Sequence, residues 1–188
     1  MLKQLYANCI YGGFLAGLLL LLLTPVFAHG WPPALLATFL CLPAYMIHQY
    51  EEHEHDRFRI FVNQVLGGGR EVLTPSAVFF INIVGVWAVL AVVLWLAAFL
   101  NPGFGLIAAY LLLVNSAAHV VGALALHGYN PGVITSVILF LPLSVWCIQS
   151  IKAADAATTL MQVLGLTVAI LIHIVVVVPT VRRRLRLP

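Results

Sequence analysis

Apolar runs long enough to cross a lipid bilayer recur along this chain, at residues 5–28, 31–50, 75–100, 104–127, 133–150 and 159–178. About 20 such residues wound as α-helix cover the hydrocarbon layer. Within lipid, a helix satisfies its own backbone polar groups, which an open strand cannot do. The expectation is an all-α polytopic membrane protein, a single domain over residues 1–188 built as a bundle of about six transmembrane helices. Composition agrees: hydrophobic types make up 63% of the chain and charged types 8%, against about 25% charged in a soluble domain.

The breaks between runs are turn sequences: Trp31-Pro32-Pro33, Asn101-Pro102-Gly103 and Tyr129-Asn130-Pro131-Gly132. Pro43 lies inside the second run and is expected to kink it. The first run follows Lys3, and Val26-Phe27-Ala28 loosely resembles a signal-cleavage site. The run is long for a signal, and we expect it to be retained. Gly13 and Gly17 have the spacing of a close helix contact. Residues 51–71 are too polar to span. Phe58, Phe61, Val62 and Val65 recur there at helical spacing, which predicts a short amphipathic helix lying in the interface. Gly67-Gly68-Gly69 then lets the chain turn back, and it lacks the strand and the GK[ST] continuation of a phosphate loop.

Lysine and arginine set the orientation. With the N-terminus in the cytoplasm, Lys3, Arg57, Arg59, Arg70, Arg182, Arg183, Arg184 and Arg186 fall inside and only Lys152 outside. This predicts a multi-pass cell-membrane protein with both termini cytoplasmic. The terminal arginine cluster follows directly on an apolar run, so it reads as an anchor to anionic lipid, and no nucleic-acid partner is expected. Cys9, Cys41 and Cys147 are scattered in apolar surroundings and read as small hydrophobic residues.

Chemistry concentrates in His48-Gln49-Tyr50-Glu51-Glu52-His53-Glu54-His55-Asp56, at the inner end of the second run. Charged groups beside hydrocarbon are costly unless paired or coordinated. If the helix continues, His48, Glu51, Glu52 and His55 share one face. Imidazoles and carboxylates suit zinc, with iron or manganese as alternatives. One helix rarely wraps an ion alone. His119, within the fourth run, is the expected complement. Asn115 stands one turn before it, placed either to fix its tautomer or to bridge helices. Asn82, His127 and His173 are further supporting candidates on the same half. Of these, His127 reads as interfacial and His173 as packed against a neighbouring backbone or hydroxyl group. His29, outside the first run, reads as an interface residue.

The His48-Gln49-Tyr50-Glu51-Glu52 run, His119 and Tyr129-Asn130-Pro131-Gly132, in that order, resemble the HxxEE motif, further histidine and YxPG motif of the HXXEE-domain membrane proteins. The resemblance covers roughly residues 30–150. It supports the choice of site residues and implies no particular reaction. It also brings Tyr129 toward the site mouth, where a phenol can orient a substrate or donate a proton.

The expected site is a divalent metal held by His48, His119 and Glu51 or Glu52, with His55 as a further candidate ligand. The remaining glutamate would serve as general base on an activated water. Hydrolysis of a lipid-like or amphiphilic substrate at the cytoplasmic side is preferred over oxygen chemistry. Di-iron bundles use two Glu-x-x-His pairs, and here Glu52-x-x-His55 stands alone. The alternatives are a proton- or metal-coupled transporter, an iron-dependent lipid oxidase or desaturase, or a non-catalytic membrane subunit. The charge map has a direct test: a reporter fused after Pro188 is expected to be cytoplasmic, and activity on the outer side would overturn the orientation.

Overall fold

The structure is a computed structural model that describes residues 2–186. Six long helices and one short one make up most of the described residues: α1 (Leu2–Phe27), α2 (Pro33–His53), α3 (Arg57–Val65), α4 (Pro75–Phe99), α5 (Gly105–Leu126), α6 (Val133–Ala153) and α7 (Thr159–Arg186). The all-α expectation holds. Four segments are both long and apolar enough to cross a membrane: Asn8–Phe27, Pro75–Phe99, Pro102–Leu126 and Val133–Ala153. The apolar part of α7 among the described residues, Thr159–Val175, is shorter, and α2 is not in this group. The reason for α2 is its content of Thr38, His48, Gln49, Glu51 and Glu52. It tolerates them because α1, α4, α5 and α6 surround it. The side chains of Lys3 and of Arg182, Arg183, Arg184 and Arg186 lie outside the described ones.

Small residues let α2 sit at the centre. Ala34, Ala37, Cys41 and Ala44 are buried along it, and a stripe of small side chains permits close helix approach. Gly17 of α1 abuts α2: a Cβ there would stand 3.0 Å from Met46 Cβ and 3.2 Å from the Pro43 carbonyl oxygen. Gly105 at the start of α5 gives way in the same manner to Thr38, and Gly165 of α7 lies against the Leu106 backbone. α5 is the second central element, packed on α2, α6 and α7.

Two helices contain π-helical stretches, Ile81–Ala88 within α4 and Ser136–Phe140 within α6. Wide turns of this kind occur frequently at functional sites.

The α2–α4 connection forms the expected amphipathic piece. Val62, Val72 and Leu73 are buried together, with Phe58, Phe61, Ala77, Val78 and Ile81 packed around them. Val65, expected on the same stripe, is exposed. Gly68 and Gly69 have φ of 61° and 86°, a region glycine enters without strain. The returning segment is pinned by Asn63, whose Oδ1 accepts from the backbone N–H groups of Val72 (3.0 Å) and Leu73 (2.8 Å) and whose Nδ2 donates to the Leu73 carbonyl (3.0 Å). Thr74 then caps α4, accepting from Ala77 N, with Pro75 in the first turn. Removing the Asn63 carboxamide orphans these backbone groups. Asn63→Ala is therefore expected to destabilise the fold by about 1–3 kcal/mol, read as a lowered melting midpoint in detergent.

Candidate metal centre

The acidic and histidine run divides where α2 stops. Left-handed backbone at His55 (φ 53°) and Asp56 (φ 62°) ends the helical path after His53. Bulky residues adopt this region only at a cost. Local ion pairs hold the bend. Glu54 binds Arg57 at 2.7 Å and accepts from the Tyr50 hydroxyl, and Arg59 pairs with both Asp56 and Glu71. The Asp56 carboxylate, hydrogen-bonded to Arg59, pushes that guanidinium's pKa up. The expectation that His55 shares the face of His48 is thereby corrected: α2 ends at His53, the His55 backbone is left-handed, and the residue is exposed.

The inward half gathers His48, Glu52 and His119. Their relative exposures are 0%, 6% and 5%, and one donor atom from each lies within 4.8 Å of the others. Glu52 Oε2 is 3.8 Å from His48 Nε2, and Glu52 Oε1 is 3.5 Å from His119 Nε2. Two donors each about 2 Å from one ion stand roughly 3.3 Å apart at the tetrahedral angle, so this spacing fits a divalent cation. The two imidazole rings meet edge to face at 5.0 Å, and Phe140 covers His48 at 4.3 Å.

Both tautomers follow from the hydrogen bonds behind the rings. The Thr135 hydroxyl donates to Glu51 Oε2, so its oxygen must accept from His48 Nδ1, 2.8 Å away. The His48 proton is on Nδ1, and Nε2 is left as a buried acceptor without a partner. In His119, Nδ1 faces Asn130 Oδ1 at 3.0 Å and donates to it, which turns Nε2 toward Glu52. Outer partners of this kind orient metal-binding histidines and set their tautomers.

Glu51 is occupied elsewhere. Its two oxygens accept from the Tyr129 hydroxyl (2.9 Å), the N–H groups of Ile134 (3.2 Å) and Thr135 (2.7 Å), and the Thr135 hydroxyl. It ties α2 to the first turn of α6. Tyr129 serves this tie. Partial burial and then the Glu51 carboxylate raise its phenol pKa, so it remains a protonated donor.

The turn between α5 and α6 supplies the rest. Asn130 holds His119, and Gly132 has φ of 97°. A Cβ on Gly132 would lie 2.8 Å from Cε1 of both His48 and His119. Only glycine meets both conditions.

The remaining candidates are dispersed. Asn82 is buried in the α4 π-helical stretch; it accepts from Gln49 Nε2 at 3.0 Å and its Nδ2 donates to His53 Nε2 at 3.1 Å. Asn115 faces the cavity beside the donors, and its Oδ1 has no partner. His173 lines that cavity, and its Nδ1 donates to the Ala169 carbonyl at 2.8 Å. His127 is exposed in the left-handed cap of α5. Sequence reasoning missed three participants. His53 is buried, with Nε2 3.1 Å from Glu52 Oε2; Asn130 and Thr135 are the other two.

HxxEE and YxPG thus describe one interlocked object. A family model described as "Protein of unknown function with HXXEE motif" matches residues 39–147, more than half of the chain. The chain belongs to this HXXEE family. No curated protein and no solved structure matches it. In this HXXEE protein the motif histidine and its second glutamate face the third donor, His119, while the first glutamate and the YxPG turn brace the rings. Gly132→Ala should force the two rings apart. We expect a 10- to 100-fold loss of metal affinity, of the order seen when outer partners are removed, with helix content by circular dichroism unchanged.

Proposed function

We propose that this HXXEE protein is a metal-dependent membrane hydrolase, zinc-loaded, acting on a lipid-like or amphiphilic substrate at the cytoplasmic side. The observation that carries the reading is the convergence of two imidazole Nε2 acceptors and one carboxylate inside an apolar bundle. Two histidines, one glutamate and an open position are the donor arrangement of catalytic zinc sites. An ion held there supplies a Lewis acid and makes water acidic near neutral pH.

The protein's own groups divide the remaining work. His48, Glu52 and His119 hold the ion. Glu51, Thr135, Tyr129 and Asn130 are positioning residues, which keep the ring nitrogens aimed inward. With Glu51 so engaged, His53 is the better proton carrier: its Nε2 accepts from Asn82 Nδ2, which puts its proton on Nδ1, buried and without a partner. Proton transfer by a placed imidazole contributes typically 10²–10⁴-fold. Phe140 and Tyr45 pack beside His48, limiting the approach of bulk water.

The proposed topology has six crossings, α1, α2, α4, α5, α6 and α7, with both termini cytoplasmic. The ends of α2 and α5 that bear the donors then share a side with Arg57, Arg59 and Arg70, where positive charge favours the cytoplasm. α2 would cross sheathed by its neighbours.

A second reading rests on the same donors, since two histidines and one carboxylate also serve mononuclear iron in oxygen chemistry. Elemental analysis of protein purified without chelators decides. About one zinc per chain is expected, falling to background in the His48→Ala/His119→Ala double variant. Iron in zinc's place would move the reading to lipid oxidation. Absence of any transition metal, or its survival in the double variant, would overturn the metal reading.

A further inference from the structure

A cavity of about 190 Å³ adjoins Glu52 and His119. Its walls are apolar: Val78, Ile81 and Val86 from α4, Ile172 from α7, and Phe58 and Leu73 from the segment between α2 and α4. Ala118 of α5 lies on its lining and is exposed, so the cavity opens sideways there. Ala118 is eight residues from the end of α5 at Leu126, roughly 12 Å along the axis. That depth is hydrocarbon in the proposed topology, so the opening faces acyl chains.

The polar end has a definite sign. Among the described residues, no lysine or arginine lines the cavity; its polar groups are Glu52, carboxamides, imidazoles and the Tyr45 hydroxyl. Asn115 Oδ1 is a buried acceptor without a partner. His173 uses Nδ1 on the Ala169 carbonyl, which leaves Nε2 as a second acceptor. No basic side chain there selects an anionic head group, so any positive charge belongs to the ion that Glu52 itself would hold. A hydroxyl or amide N–H would satisfy an acceptor that is otherwise stranded.

Building on the hydrolase reading, we propose that the substrate is a neutral single-chain lipid with an ester or amide carbonyl beside a hydrogen-bond donor. Its acyl chain lies between α4 and α7, its carbonyl reaches the His48, Glu52 and His119 donors, and its hydroxyl or N–H bonds Asn115. Hydrolysis adds the oxygen of water to the carbonyl carbon and breaks the C–O or C–N bond. One water proton goes to the leaving alcohol or amine, and the fatty acid departs.

The test measures equilibrium binding of radiolabelled lipids to the full chain in dodecyl maltoside micelles, with metal content read on the same samples. Saturable binding of 1-oleoylglycerol is expected. Binding of methyl oleate, which lacks the donor, and of 1-oleoyl lysophosphatidic acid, which is anionic, should each be weaker by roughly tenfold or more. Ala118→Trp should plug the mouth and weaken 1-oleoylglycerol binding by at least about tenfold with metal content intact, and Ala118→Leu should do so partially. Equal or tighter binding of the lysophosphatidic acid overturns the assignment, as does no saturable binding of 1-oleoylglycerol or its persistence in both variants. Lipid discrimination in protein that holds no transition metal sinks the metal reading and leaves the cavity assignment standing.

Discussion

A carboxylate inside an apolar bundle governs the arrangement of everything around it. The cost of burying an isolated charge is several kcal/mol even after relaxation. Glu52 is nearly inaccessible and meets His48, His53 and His119 rather than an arginine. Imidazoles answer a carboxylate only when protonated or when all share a cation. The hydrogen bonds behind His48 and His119 place a proton on each Nδ1 and turn the Nε2 atoms toward Glu52. With both rings neutral, three electron-pair donors face one another, which is unfavourable without a positive centre. This is the physical reason for reading the cluster as a cation site rather than as a structural ion pair.

Much of this was legible in the sequence because the donors obey helical periodicity. His48 and Glu52 are one turn apart, and His119 is the ionisable residue within the apolar α5 run. The helical class followed from hydrophobic run length. The residues that escaped notice have no periodic signature. Asn130 and Thr135 belong to a turn and the helix start after it, and they reach the histidines only through tertiary folding. Regular periodicity was carried past the place where the backbone turns left-handed. The same assumption put His55 on the stripe. Asn115 seemed the natural partner of His119 at four residues' spacing, yet Asn130, eleven residues on, takes that position.

The π-helical stretches show why periodicity also misleads within helices. A π-helical turn takes in more residues than an α-helical one, so side chains beyond it are rotated relative to a regular count. In α4 the stretch includes Asn82, which joins Gln49 and His53, while Trp87 donates to Gln49 at 2.6 Å. In α6 it begins immediately after Thr135. The polar network on α2 is thus met from both sides by helices whose local winding departs from the ideal.

The Tyr129–Gly132 turn touches Glu51, His119 and His48 within four consecutive residues. It therefore works as a spacer of fixed gauge between two helices, not as a mere connection. Lengthening it by a single residue would change the gap between the donors even with every donor retained. The Asn101–Gly103 bend at the opposite end of α5 meets none of them, so divergence in loop length should be tolerated there and purged at the spacer.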